Sequence, residues 1–451
     1  MKYNVDFVTN PKHAFWQFSR PLLLLSIFEA CYSFVDVFWV SQMDQKSFFA
    51  VGVAVPLFTL IYGIGKALGV GTNSIIAREI GQHNLLGAKN SILHGIITCI
   101  IMGIIIGLAS FFIKDILIFT KANSSSLDLS IAYLRPLFIF SFVFLFANLF
   151  VSTLQGEGNS RIPTAMLIIT NVLNLVLDPI FIFVLHMGVT GVSIATILSN
   201  AITAIYLLYW YLSGKSAVEL NFKYFKPGIV YEIFIVAIPS FLTDSLWCLT
   251  SLYFNRILIE QLGQIGVLLY GTSSRIQTLI ASPQKAFSRA LISVSGHLFG
   301  ANKKEELINL YYYVLKISII IAIITTVIFF FIRDYGFALF SVTSAPESVF
   351  YIALAGIIIV PVNEVTVLSR KIIDGTGKSY YDLILSLFMV LFEIMIATLL
   401  SNYFNHGIGV LLAILIAEIV FAIIYFTLIV YLFDQHRKGV IKKFHHYHRT
   451  G

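Results

Sequence analysis

The chain repeats itself at an offset of 219 residues. Gln155–Ser160 reads QGEGNS and Asp374–Ser379 reads DGTGKS. The same step carries Lys66 onto Lys285, Gly81 onto Gly300, Gly188 onto Gly407 and Asp36 onto Asn255, and it brings Pro21 to within one residue of Pro239. One such match arises by chance; several at one offset, spread over most of the length, do not. Each copy holds about six apolar spans. An even number returns the chain to the side it started from, so both copies cross a membrane in the same direction. Parallel repeats of six helices facing each other describe a secondary transporter with a site between its halves.

Composition agrees. Hydrophobic residues make up 58% of the 451 and charged residues only 12%, where soluble chains carry about 25% charged. A span needs about 20 mostly apolar residues. Twelve are expected, near 15–40, 48–74, 92–113, 132–154, 163–185, 190–213, 230–258, 266–296, 310–332, 348–370, 382–402 and 407–433. The domains follow: an N-terminal lobe over 1–213, a cytoplasmic linker over 214–229, a C-terminal lobe over 230–435 and a basic tail over 436–451. The polar stretches 78–91 and 297–309 read as short interfacial helices carrying basic residues at the headgroups.

The net charge of +7 resolves into orientation. With the N-terminus inside, 19 Lys and Arg fall on the cytoplasmic side and five outside. The positive-inside rule then puts both termini in the cytoplasm of a multi-pass cell (inner) membrane protein, and nucleic-acid binding is not expected. The first residues, MKYNVDFVTNPKHAF, lack the apolar core of a cleaved signal. Cys31, Cys99 and Cys248 stand at unrelated spacings inside spans, which supports neither a disulfide framework nor a metal site. GTGKS at 375–379 lacks the first glycine of a phosphate loop, since position 372 is Ile, and reads as a tight turn. No nucleophilic triad or metalloprotease pattern occurs, so no enzyme is expected.

An acidic side chain at the bilayer centre costs about 2.5–3.5 kcal/mol on insertion scales and therefore needs a reason. Asp36 has Tyr32 one turn before it. Asp178 has Asn174 at i−4 and Asn171 a further turn back, and the sixth span adds Ser193, Thr196 and Asn200. Spacings of three and four place each set on one helix face. Two chemistries fit. A close pair of carboxylates in a low dielectric holds and releases a proton, whereas carboxylates with amide and hydroxyl oxygens form a hard cage for Na⁺. A purely structural role, with each acid satisfied by neighbouring polar groups, is the bland reading, and Asn174 alone would be a helix–helix hydrogen bond.

The repeat turns Asp36 into Asn255, Asn174 into Glu393 and Asp178 into Ala397, so the acid pair belongs to the first half only. Glu364, Glu393, Glu418 and Asp244 lie within or near C-terminal spans and are candidates for the cavity wall. Lys66 and Lys285 either neutralise a carboxylate, bind anionic groups or snorkel to a headgroup. Pro21 interrupts the first helix and is a candidate hinge.

These residues resemble the MATE (multidrug and toxic compound extrusion) transporters over about residues 12–435, most closely the prokaryotic branch related to DNA-damage-inducible protein F. The resemblance rests on Pro21 fifteen residues before Asp36, on Tyr32 with Asp36, on the EG turn at Glu157–Gly158, on Asn174 to Pro179 (N-x-x-x-D-P), and on Thr196 eighteen residues after Asp178. It implies an all-α integral membrane fold of twelve transmembrane helices in two pseudo-symmetric six-helix bundles, V-shaped. It also implies export of amphipathic, cationic organic compounds against inward H⁺ or Na⁺. By the same resemblance Asp36, Asn174, Asp178 and Thr196 form the coupling site, with Tyr32 beside it, and the same four would hold Na⁺. Some relatives place an asparagine six residues before the EG turn; this chain has Val151 there and Asn148 one turn earlier, which leaves the ion open. The alternative within the same superfamily is a flippase of lipid-linked oligosaccharide, for which Lys66, Lys285, Arg256 and Arg275 would have to line the cavity. No cofactor is expected beyond the coupling ion. The expected partners are small organic substrates and membrane lipids, and the expected state is a monomer.

Overall fold

In the computed structural model, residues 5–119, 124–218, 227–262, 277–338, 359–404 and 407–437 are described, together with 270 and 274. Every regular element among them is helical. The first half runs α1 (Pro11–Ser41), α2 (Gln45–Gly81), α3 (Leu85–Ala109), α4 (Ile113–Phe119), α5 (Ser124–Ile139), α6 (Ser141–Gly156), α7 (Arg161–Pro179) and α8 (Gly188–Leu212). The second half runs α9 (Pro227–Leu262), α10 (Ser282–Gly300), α11 (Lys304–Ala338), α12 (Val360–Gly375), α13 (Ser379–Phe404) and α14 (Ile408–Arg437). Among the described residues eight helices are long and apolar enough to cross a membrane, and α5 with α6 supplies a ninth that is bent by 52°. Large apolar side chains such as Leu24, Ile104, Phe111 and Tyr403 stand outward, as lipid-facing surfaces require.

Two expectations change. The stretches 78–91 and 297–309 are not interfacial helices. α2 runs to Gly81 and α3 begins at Leu85, while α10 runs to Gly300 and α11 begins at Lys304. Each junction is a tight turn. His83 and Asn302 adopt positive φ of 61° and 58°, ending one helix, and the Asn84 side chain accepts from the Gly87 N–H to start the next. The polar residues that suggested a surface helix are caps. The span expected at 132–154 is not straight either. Pro136 lies in the last turn of α5, and the chain bends at Phe140 before α6. Of the linker expected over 214–229, residues 219–226 lie outside the described set, and α9 begins at Pro227.

The duplication is written into the backbone. His83 and Asn302 are one offset apart, as are Gly158 and Gly377 at φ of 86° and 77°. Two clusters carry most of the core, one centred in each half, with Ile229, Ile233 and Ala237 of α9 packed into the first. Val51, Leu68, Leu134, Phe144 and Leu149 share one cluster in the first half. Phe287, Leu291, Leu310, Ile373 and Tyr425 share another in the second. α1 divides its allegiance: Phe15, Phe18 and Leu22 pack into the second-half cluster, while α1 also lies along α7. The N-terminal arm adds a strap, with the Val5 N–H donating to the Gly158 carbonyl at 3.1 Å and Phe7 packing edge-on against His297.

The halves meet where α2 crosses α10. A β-carbon on Gly81 would collide with the His297 carbonyl, and one on Gly300 with the Arg78 carbonyl. Arg78 and His297 are themselves one offset apart, so the contact is the same contact made twice. Ser74 Oγ, on α2, donates to the carbonyls of Asp374 and Gly375 at 2.8 and 3.1 Å, and Ser293 Oγ, on α10, donates to Asn73 Oδ1 at 3.2 Å. This end of the molecule is sealed by short side chains and bare backbone.

Candidate functional site

In the first half, α1, α7 and α8 meet around the acidic face of α7. Asn174 and Asp178 are buried, at 6% and 1% exposure, because positions 174 and 178 lie one turn apart on the side of α7 turned inward. Tyr32 reaches from α1 and its hydroxyl donates to Asn174 Oδ1. Asn174 Nδ2 in turn donates to Asp178 Oδ1 at 3.1 Å. A phenol, an amide and a carboxylate thus form one relay between two helices. Polarisation along such a chain means that a change at the carboxylate is felt at the phenol. The Asp36 side chain lies outside the described residues, although the backbone of α1 that carries it is helical.

The remaining first-half candidates divide. Thr196 is half-buried on α8 and donates to its own helix at Val192 (2.9 Å), while Asn200 Nδ2 donates to the Thr196 carbonyl at 2.9 Å. Asn171 is half-buried a turn before Asn174. Asn148 Nδ2 donates to Phe144 O in its own helix at 2.9 Å. Pro21 sits inside α1, which continues through it. Near it, Ser160 of the GEGNS turn donates to the Phe18 carbonyl at 2.6 Å, tying that turn to the helix beside the proline.

Second-half candidates sit elsewhere. Lys66 pairs with Asp244 at 2.7 Å, joining α2 to α9. Lys285 borders a cavity within the second half together with Glu393 and Glu418. Glu364 is buried and accepts from Ser318 Oγ at 2.5 Å. Arg256 pairs with Glu260 on the same helix, largely exposed, and Arg275 lies outside the described residues. Lys66, Lys285 and Arg289 lie near enough to act on one another, and Lys66 and Arg289 are each taken up by a carboxylate.

Three features escaped the sequence reading. Glu29 on α1 forms a two-pronged pair with Arg289 on α10, at 2.8 and 3.3 Å. Glu29 is a lone acid in an apolar run, which is a signal, but finding Arg289 as its partner needs the fold of the repeat. Glu157 of the EG turn, just beyond α6, is the second. It is buried and accepts from Tyr211 (2.7 Å), from Ser216 Oγ (2.5 Å) and from the Ala217 N–H (3.1 Å). Burial pushes its carboxyl up to about 7, against the pull of the Ser216 and Tyr211 hydroxyls. The third is an ion pair sealed inside the second half, where Arg370 Nε meets Asp382 at 2.8 Å and Tyr425 donates to the same oxygen at 2.7 Å.

A duplicated helical bundle with an acidic relay buried at membrane depth defines a multi-pass membrane transporter. The MatE family model matches residues 21–180 and again 239–399, recovering the repeat and covering more than half of the chain. The chain belongs to the MATE family. Multidrug export protein MepA of Staphylococcus haemolyticus is 25% identical over 311 residues, 68% of each chain. Among solved structures, an outward-facing conformation of a multidrug resistance MATE family transporter of the MOP superfamily superposes with a TM-score of 0.91 at 27% identity, covering 95% of this chain and 97% of that one. A MOP superfamily transporter from Pyrococcus furiosus, described as having a binding pocket of reverse polarity, superposes at 0.90 with 27% identity and the same coverage.

Proposed function

We propose that this chain is a multidrug exporter of the cell membrane, exchanging amphipathic organic cations for inward H⁺ or Na⁺ by alternating access, with both termini cytoplasmic. The observation that carries the reading is the relay Tyr32–Asn174–Asp178, which links a buried acid of α7 to α1. Asp36 lies one turn beyond Tyr32 on the same helix, so a cation binding at Asp178 acts on the helix that carries the second acid and Pro21. A ligand shifts a two-state equilibrium only by its differential affinity for the states. Coupling therefore requires the cation to favour one packing of α1 and the substrate the other. The multidrug names of the MepA relative and of the outward-facing structure support the substrate class. The nineteen-to-five distribution of basic residues supports the orientation.

Efflux of a fluorescent cationic dye from vesicles under an imposed pH or Na⁺ gradient tests it. Wild type should follow one gradient, and Asp36→Asn and Asp178→Asn should each lose the gradient-driven component. Unchanged gradient-driven efflux in Asp178→Asn would remove the relay from the coupling mechanism.

A further inference from the structure

The second half encloses a cavity of about 280 Å³ between α9, α10, α12, α13 and α14. Its walls are aromatic, with Trp247, Phe254 and Tyr270, and its polar lining includes Glu393, Glu418 and Asn363. Glu393 is 1% exposed, and neither of its carboxylate oxygens has a hydrogen-bond partner among the described residues. Glu418, 3% exposed, accepts from Asn363 Nδ2 at 2.6 Å on one oxygen and lies beside the Thr366 hydroxyl, while its other oxygen has no hydrogen bond of good geometry among the described residues. Trp247 Nε1 is likewise unanswered.

Other buried acids of this half are treated differently. Asp382 meets Arg370, Asp374 meets Lys371 at 2.9 Å and Ser379 at 2.7 Å, and Glu364 meets Ser318. Buried polar groups are hydrogen-bonded as a rule, so an acid with both oxygens bare and aimed into a cavity marks a place where the ligand supplies the partner. Position 393 is also one offset from Asn174, and Ser251 in the same lining is one offset from Tyr32. The locus that holds the relay in the first half is therefore repeated in the second, with two acids and no relay.

We infer that this cavity is a binding site for the ammonium end of an aromatic amine, with Glu393 as its principal counter-charge and Glu418 as the second. Phe254 and Tyr270 supply faces for the ring and for cation–π attraction, while Trp247 already has the Arg370 guanidinium over its ring, 5.9 Å from the centroid. The volume lies near the lower end of ligand pockets, roughly 300–1,000 Å³, which suits one ring and its ammonium and leaves the rest of a larger amphipathic compound outside. The inference rests on the exporter reading for its biological meaning, but the site is separate from the first-half relay and is tested without transport.

The test is equilibrium binding of 2-phenylethylammonium to the full-length protein in lipid nanodiscs, with 2-phenylethanol as the uncharged comparison, read by titration calorimetry and by the fluorescence of Trp247 against a Trp247→Phe control. Wild type should bind the amine and bind the alcohol far more weakly. Glu393→Gln should weaken amine binding by about ten- to a hundredfold, the loss expected for one charge-assisted bond, while Glu393→Asp keeps the charge and recovers most of it. Thr278→Trp, which fills the cavity without altering an acid, should abolish binding, so a folding failure of either variant leaves the other to decide. Wild-type affinity in folded Glu393→Gln, equal affinity for the alcohol, or no amine binding by wild type would each overturn the site. Amine binding intact beside absent gradient-driven dye efflux would instead sink the exporter reading and leave this site standing.

Discussion

Glu157 begins its folded life with an uncommon burden, a carboxyl placed out of water at the mouth of the linker, where burial pushes it up to about 7 from an ordinary value near 4.5. Because the folded value is the higher one, the native state holds the proton between these two pH values while the unfolded state has released it. Its contribution to stability is therefore full below about 4.5 and lost as pH rises through about 7, a swing on the order of 3 kcal/mol. Melting curves of the purified protein should show wild type losing stability between pH 5 and 8, and Glu157→Gln losing clearly less over the same range. At this scale the sequence was partly legible. Tyr32, Asn174 and Asp178 announce themselves through spacings of four, since helical period alone sets a shared face. The Thr196 hydroxyl turns back to its own i−4 carbonyl, a choice that no spacing reveals. The Glu29–Arg289 pair was illegible for another reason: its members lie 260 positions apart and meet only once α1 is laid on α10.

At the scale of elements, the turns between α2 and α3 and between α10 and α11 were misread because polar residues there look alike whether they cap a helix or coat a membrane surface. His83 and Asn302, in the left-handed region, decide the matter, and only backbone geometry records it. The crossing of α2 on α10 gives a prediction of its own. Gly300→Ala forces a β-carbon against the Arg78 carbonyl, so the helices must part at an overpacking cost of about 1–3 kcal/mol. Ser74 is fully buried in that contact. A cysteine introduced there should react slowly with a membrane-impermeant thiol reagent in the parent and several-fold faster when Gly300→Ala is added. Equal rates would mean that the crossing does not hold this end shut.

For the whole molecule, the ion pairs that bridge the halves include Lys66–Asp244 and Glu29–Arg289. All four side chains are roughly a third to a half exposed, so each pair contributes only about 0.2–1 kcal/mol. That is too little to glue the halves and enough to bias a balance between two packings by up to about fivefold. Lys66→Asp should slow dye efflux by up to that factor, and the swap Lys66→Asp with Asp244→Lys should restore it; a swap no better than the single change would show that the pair acts through something other than its charge. The architecture itself was legible early, since the 219-residue step and the apolar spans define two like bundles before any coordinate. The glycine crossing adds what no pattern suggested. Two backbones in contact at one end behave as a bearing, where displacement is smallest. α2 extends 37 residues from that point, about 55 Å of rigid rod at 1.5 Å per residue. A rotation of about 10° at such a fulcrum sweeps the far tip through about 10 Å. Leverage of this kind turns a shift of a few atoms beside the fulcrum into a displacement of whole side-chain widths at the tip.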